Sequence, residues 1–204
     1  MPTTRPRRKD LPENRRACIL QAARCVFAKQ GYADTVVEDI ATRAGIAKGT
    51  LYLYFDSKEE IFLAALREDA RSMEERTRER MEQAGTWQDK LKAYVDVRLE
   101  YLETHQDFIR IYLAEFRSMM LCRVRVSSDL FNCVRESEGQ LAQVFAAAIA
   151  RDEIRTVDAD LAARTLSDLT RGLMERRLLG WSARGDASEA SFAVDLLCRA
   201  LERD

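Results

Sequence analysis

An all-α fold is predicted for this 204-residue chain, and three observations carry the prediction. Its only prolines, Pro2, Pro6 and Pro12, lie in the first twelve residues, so nothing downstream lacks the N–H that a helix needs. Eight glycines leave few other interruptions. Apolar residues then recur at helical spacing in about nine runs separated by glycines or polar clusters. With 47% apolar residues, the chain can bury a sizeable core, as one large domain or as a small and a medium one.

Residues 1–12 read as a flexible basic arm, because three prolines among charges cannot bury apolar area. A first helix is expected from about Glu13 to Gln30, with Ile19, Ala22, Ala23, Val26 and Phe27 on one stripe and Gly31 closing it. Thr35 opens the second helix: its hydroxyl can accept from a first-turn amide while Glu38, three residues on, reaches back as a capping box. Val36, Val37, Ile40, Ala41 and Ala44 face inward until Gly45, which can take positive φ. A short third helix follows from about Ala47 to Tyr54. Leu51 and Phe55 point to the core, which leaves Lys48, Gly49, Thr50, Tyr52, Leu53 and Tyr54 outward. Two tyrosines and a leucine on so short an outer face suit a surface that meets something. Two helix starts around a glycine turn and an aromatic-rich helix have the anatomy of a helix-turn-helix DNA reader.

A second capping box, from Ser57 to Glu60, opens a long fourth helix that carries Ile61, Phe62, Ala65 and Leu66 and ends before Gly85. Leu91, Tyr94, Val95, Leu99 and Leu102 mark the fifth; Phe108, Ile111, Tyr112 and Phe116 mark the sixth. A long run from about Leu130 to Ile149 carries Val134, Leu141, Val144 and Phe145. The last two helices are expected from Leu161 to about Leu179, behind the acidic Asp158 and Asp160, and from Ala187 to about Leu201.

Net charge is −1, yet it is unevenly divided. Residues 1–58 hold eleven Lys/Arg against six Asp/Glu, leaving 22 basic and 28 acidic residues downstream. A basic end on an acidic body suits a protein that touches a polyanion with one end, and equally a mixed solvated surface. Cys18, Cys25, Cys122, Cys133 and Cys198 form no CxxC pair, and His105 is the only histidine, so no metal site is expected. Cys18 and Cys25, seven apart, are expected on one helix face as small core residues. No cofactor motif is present: there is no glycine-rich phosphate loop, paired carboxylate or Ser/His/Asp pattern. No apolar run approaches the roughly 18 residues of a membrane span, so a soluble, cytoplasmic protein is expected.

Over roughly residues 13–66 the chain closely resembles the N-terminal domain of the tetracycline-repressor (TetR) family of bacterial transcriptional regulators. The segments FAKQGYADTVVEDIA, AGIAKGTLYLYF and DSKEEIF carry the likeness. The resemblance implies three parts: the arm at 1–12, a three-helix helix-turn-helix DNA-binding domain at 13–58, and a larger helical ligand-binding and dimerisation domain at 59–204. It implies a homodimer on a pseudo-palindromic double-stranded DNA operator, released by a small molecule and without a membrane role. DNA contacts are then expected from Thr35, Ala47, Lys48, Gly49, Thr50, Tyr52, Leu53, Tyr54 and Lys58. Of these, Thr35 and Lys58 would meet phosphate at helix starts. Three positions depart from the common pattern: Ala47 replaces a frequent Ser, Leu53 a frequent Tyr or His, and Asp56 a basic or small residue. They leave the operator sequence open.

The family's central helices enclose an inducer pocket, and the densest aromatic and methionine concentration marks it here. Leu66, Tyr101, His105, Phe108, Tyr112, Phe116, Met119 and Phe131 are the candidate lining, with Met120 beside them. Arg123, Arg135 and Arg171 are candidate polar partners for an apolar or aromatic effector. The family dimerises through its last two helices, which nominates Leu169, Leu173, Leu178, Phe192, Leu196, Leu197 and Leu201; intramolecular core is the competing role for each. Two other functions stand beside a repressor: a helical enzyme, for which no catalytic constellation exists, and a helical interaction module with a degenerate DNA-reading domain.

Overall fold

The computed structural model describes residues 13–106, 108–110, 112–113, 128–181 and 188–202, and every regular element among them is helical. In chain order these are α1 (Glu13–Asp34), α2 (Val37–Arg43), α3 (Lys48–Tyr54), α4 (Lys58–Gln83), α5 (Trp87–Thr104), α6 (Ser128–Ala150), α7 (Ala159–Leu178) and α8 (Ser188–Leu201). Residues 108–110 and 112–113 are helical as well. Ile111, Phe116, Met119, Met120, Cys122 and Arg123 lie outside the described residues, as does the side chain of Phe131. No described helix is long and apolar enough to cross a membrane.

The chain forms two compact units, one drawn from residues 1–69 and 107–127, the other from 70–106 and 128–204. In the first, the expected α1 stripe is buried together with Leu20, as are Ile40 and Ala41 of α2 and Ile61, Phe62 and Ala65 of α4; α1 packs against α2, and Phe27 of α1 meets Phe62 of α4. Phe27, Tyr32 and Phe62 form an aromatic trio with ring centres 4.9–6.0 Å apart. Arg24 and Asp69 form a 3.1 Å ion pair between α1 and α4. Burial pushes the Asp69 carboxyl up to about 6 even though Arg24 pulls the other way.

In the second unit α6 and α7 pack together, α5 meets α6, α7 and α8, and α7 meets α8. A buried arginine ties three of these helices. Arg98 of α5 donates to Glu74 (2.8 Å) and Thr77 (3.1 Å) of α4, and to Ser137 (2.5 Å) of α6. Its guanidinium also lies 3.5 Å from the centre of the Tyr94 ring. Such a charge is tolerable in a core only because it is paired and hydrogen-bonded. Two helix starts of this unit are capped by side chains: Thr86 and Asp89 form a capping box on α5, and Asp158 accepts from the Leu161 amide at 2.9 Å on α7.

Four sequence expectations are corrected. Thr35 does not cap α2; the helix starts two residues later behind Val36, which has no side-chain cap and is 51% exposed. The Thr35 hydroxyl instead donates to the Gly31 carbonyl at 2.6 Å, because positive φ at Gly31 kinks α1 and leaves that carbonyl available. Tyr54 is buried rather than outward, since it lies three residues after Leu51 and shares its face. Cys18 is exposed and Cys25 half-buried, so they are not a matched core pair. The Ser57 box forms with a shifted partner: Ser57 Oγ accepts from the Glu60 amide (3.1 Å), and the Glu60 carboxylate accepts from the Asp56 amide (2.6 Å).

Candidate nucleic-acid interface

The turn between α2 and α3 is fixed by its backbone. Gly45 adopts φ 66°, the Gly45 amide donates to the Thr42 carbonyl at 3.1 Å, and the Ile46 amide donates to the Ala41 carbonyl at 3.0 Å. This crossed pair is a Schellman motif, which satisfies the last carbonyls of α2 and reverses the chain within three residues. Ala47 then adopts an extended conformation as the N-cap of α3 with no side-chain cap, as its methyl group requires. Leu51, Tyr54 and Phe55 are buried, so the short helix is anchored by one face.

The opposite face of α3 carries Lys48 and Gly49, both exposed, and Thr50, Tyr52 and Leu53, all half-buried. Lys48 is not a free cation: its ammonium is hydrogen-bonded to the Glu38 carboxylate of α2 and stands 5.9 Å from the centre of the Tyr52 ring. That bond holds the Glu38 carboxyl below its ordinary range and pushes the Lys48 ammonium up. Gly49 has open space where a Cβ would stand. Thr35 is 1% exposed and Lys58 half-buried, and both hydrogen-bond to carbonyls of the α1–α2 connection. Ala47, Lys48, Gly49, Thr50, Tyr52 and Leu53 therefore share the α3 segment, while Thr35, Tyr54 and Lys58 serve internal contacts.

The expected pocket residues divide between the units. Leu66 and Phe108 are buried and Tyr112 half-buried in the first, where the Phe108 and Tyr112 ring centres are 5.9 Å apart. In the second, buried Tyr101 stacks on His105 at 3.9 Å, and Arg76 of α4 lies 5.8 Å from the Tyr101 ring centre. Arg135 is exposed, and Arg171 pairs with Asp168 at 2.8 Å. The sequence did not single out a cleft of about 400 Å³ in the second unit, lined by residues including Arg78, Met81, Lys90, Gln140, Gln143 and Val144. Its lining alternates polar and apolar positions on three helices, a pattern with no local sequence signature.

Of the candidate dimer residues, Phe192 is 69%, Leu196 58% and Leu169 42% exposed. Leu173, Leu178 and Leu197 are half-buried. Leu201 is buried within its own unit. Exposed Leu161, Leu179 and Trp181 join the apolar surface of the same unit and escaped the sequence reading, which favoured regularly spaced positions.

Comparison with known proteins converges on the same segment. Residues 19–65 match the family model described as bacterial regulatory proteins, tetR family. The fatty acid metabolism regulator protein of Bacillus subtilis is 32% identical over 103 residues, covering 50% of this chain and 53% of that protein. The match thus spans about half the length of that relative. The transcriptional regulator FadR from Bacillus subtilis, solved in complex with stearoyl-CoA, superposes with a TM-score of 0.73 at 23% identity, covering 91% of this chain and 99% of that one. AibR, solved in complex with isovaleryl coenzyme A and operator DNA, gives 0.72 at 18% identity, covering 89% and 97%. At such identities the structural likeness speaks for the fold, and the family match falls on the helices that build the α2–α3 turn. Over residues 19–65, which hold the α2–α3 turn, the chain is thus similar to the bacterial regulatory proteins of the tetR family.

Proposed function

We propose that this chain is a ligand-responsive transcriptional regulator, a repressor that binds a pseudo-palindromic operator as a homodimer and leaves it when a small molecule binds. The observation that carries the reading is the outer face of α3, where Gly49, Thr50, Tyr52 and Leu53 follow a rigid turn. A helix presented in this way brings its first residues to base edges in the major groove, with flanking groups on phosphate. Thr50 suits a phosphate or a base edge, Tyr52 a phosphate or sugar, and Leu53 a thymine methyl. The DNA-reading part is assigned to residues 13–58, and ligand binding and dimerisation to 59–204. Exposed Leu169, Phe192 and Leu196 support a seam with a second copy.

The reading is that of a cytoplasmic, non-enzymatic protein. Relatives of this fold were solved with stearoyl-CoA and isovaleryl coenzyme A, which makes acyl thioesters the first effectors to screen. Their acyl chains agree with an apolar effector, and the ligand acts by binding the DNA-released state more tightly. A gel-shift titration on DNA upstream of the protein's own gene tests the proposal. A specific, salt-sensitive complex is expected, weakened about tenfold or more by Thr50→Ala with Tyr52→Ala at unchanged thermal midpoint. Absence of any specific complex refutes the regulator reading; a complex indifferent to the double substitution refutes the α3 assignment.

A further inference from the structure

Lys58 is the first residue of α4, an end where the helix dipole disfavours a cation. Its ammonium is nevertheless well held. It donates to the Tyr32 carbonyl at 2.7 Å, the Thr35 carbonyl at 2.8 Å and the Ala33 carbonyl at 3.2 Å. An ammonium has three N–H donors and no acceptor, so three carbonyls use its full complement. The same nitrogen stands 4.6 Å from the centre of the Tyr32 ring, which itself packs on Phe27 and Phe62. The three carbonyls follow the Gly31 kink, at the end of α1 and just beyond it. A cation at that helix end is favoured by the dipole that opposes it on α4. Thr35 closes the same segment through its bond to the Gly31 carbonyl.

We propose that Lys58 is a positioning residue, a brace that fixes the α1–α2 connection and thereby the attitude of α2 and α3, and that it is not a phosphate ligand. The inference rests on the DNA-reading proposal. To bind phosphate, the ammonium would have to release at least one carbonyl; staying in place, it displaces no counter-ion from DNA. Geometry separates the two roles further. Three converging carbonyls fit a compact ammonium, whereas a phosphate is matched as well or better by a planar guanidinium.

The test uses the full chain with Lys58→Met and Lys58→Arg, a fragment that the wild type binds specifically, and a scrambled fragment of equal length. As a brace, Lys58→Met lowers the thermal midpoint by about 3–6 °C. Well below that midpoint it weakens operator binding about tenfold and scrambled binding less than about twofold, with the slope of log K against log salt unchanged. Lys58→Arg changes all three in the same direction. Loss of discrimination is the effect that a purely stabilising side chain would not produce. The proposal is overturned by a slope shallower by about 0.9, by wild-type behaviour of Lys58→Arg, or by a lowered midpoint with full discrimination. If Lys58→Met does not fold, Lys58→Arg decides by midpoint and discrimination: both lowered supports the brace, and wild-type behaviour or full discrimination overturns it. A wild type without any specific complex sinks the DNA-reading proposal instead, so the two failures are told apart.

Discussion

A Cβ built on Gly49 meets nothing within 4 Å, and the residue lies inside α3 with no positive φ. The fold therefore gives no reason for glycine there, while close approach to a duplex does. Gly49→Ala is expected to leave the protein as stable or up to about 1 kcal/mol more stable, and to weaken operator binding about tenfold. Denaturation and gel shift on one preparation decide it, and a variant that binds as well as wild type removes the argument. Glu38 makes the opposite case. It holds the Lys48 ammonium, so Glu38→Gln is expected to free that cation, strengthen DNA binding several-fold and steepen the salt slope by about 0.9. The pair is exposed, so stability should hardly change. Asp69 links a residue to pH. Its carboxyl, at about 6 when folded against about 4 when unfolded, keeps its proton to higher pH in the native chain, so stability falls as pH rises from about 4 to 6. Asp69→Asn lacks this descent, and its stability relative to wild type should climb over that window and level off above it. Urea denaturation at several pH values reads this directly, and a flat difference would count against the buried-carboxyl account.

At the scale of elements, α2 and α3 are seven residues each, too short to persist alone, so their caps and packing decide whether they form. Their existence was legible because Gly45 and the Leu51–Phe55 spacing are local signals. The start of α2 was not, because a threonine followed by a glutamate three residues on fits a capping box as well as it fits a hydroxyl turned back onto Gly31. Only the kink at Gly31 decides between them. Tyr54 was misread for a related reason: its polar tip suggested solvent, while its position three after Leu51 put the ring inside. Lys58 looked like a free charge because the carbonyls that hold it are more than twenty residues away in sequence. The candidate site was thus legible as a segment and less so as a set of outward side chains. Gly45→Val tests the element that was legible. A β-branched residue at φ 66° costs about 1–3 kcal/mol, and the Schellman pair that sets α3 would loosen with it. The expected result is a lower urea midpoint together with weaker operator binding, and an unchanged midpoint would mean that the turn tolerates another conformation.

For the molecule as a whole, the question is what covers the apolar surface of the second unit. Along α8, Ala190, Val194, Cys198 and Leu201 are buried, and the buried Cys198 thiol is pushed up to about 11, so this face belongs to the core. Phe192 and Leu196, one turn apart, face solvent, as does Leu169 of α7. Their spacing made them visible in the sequence, but spacing alone does not tell a face that meets its own core from one that meets another chain. A two-fold seam buries each such residue twice, once in each copy, which makes a modest patch effective. Charges placed there should therefore act on assembly without unfolding the protomer. Phe192→Glu with Leu196→Glu is expected to keep the helical content and thermal cooperativity while converting a dimer into a monomer in sedimentation equilibrium. On DNA, the monomer should lose affinity for a two-half-site operator yet retain wild-type contacts to a single half-site, because α3 is untouched. A double variant that still sediments as a dimer would place the seam elsewhere, and one that unfolds would return both residues to the core.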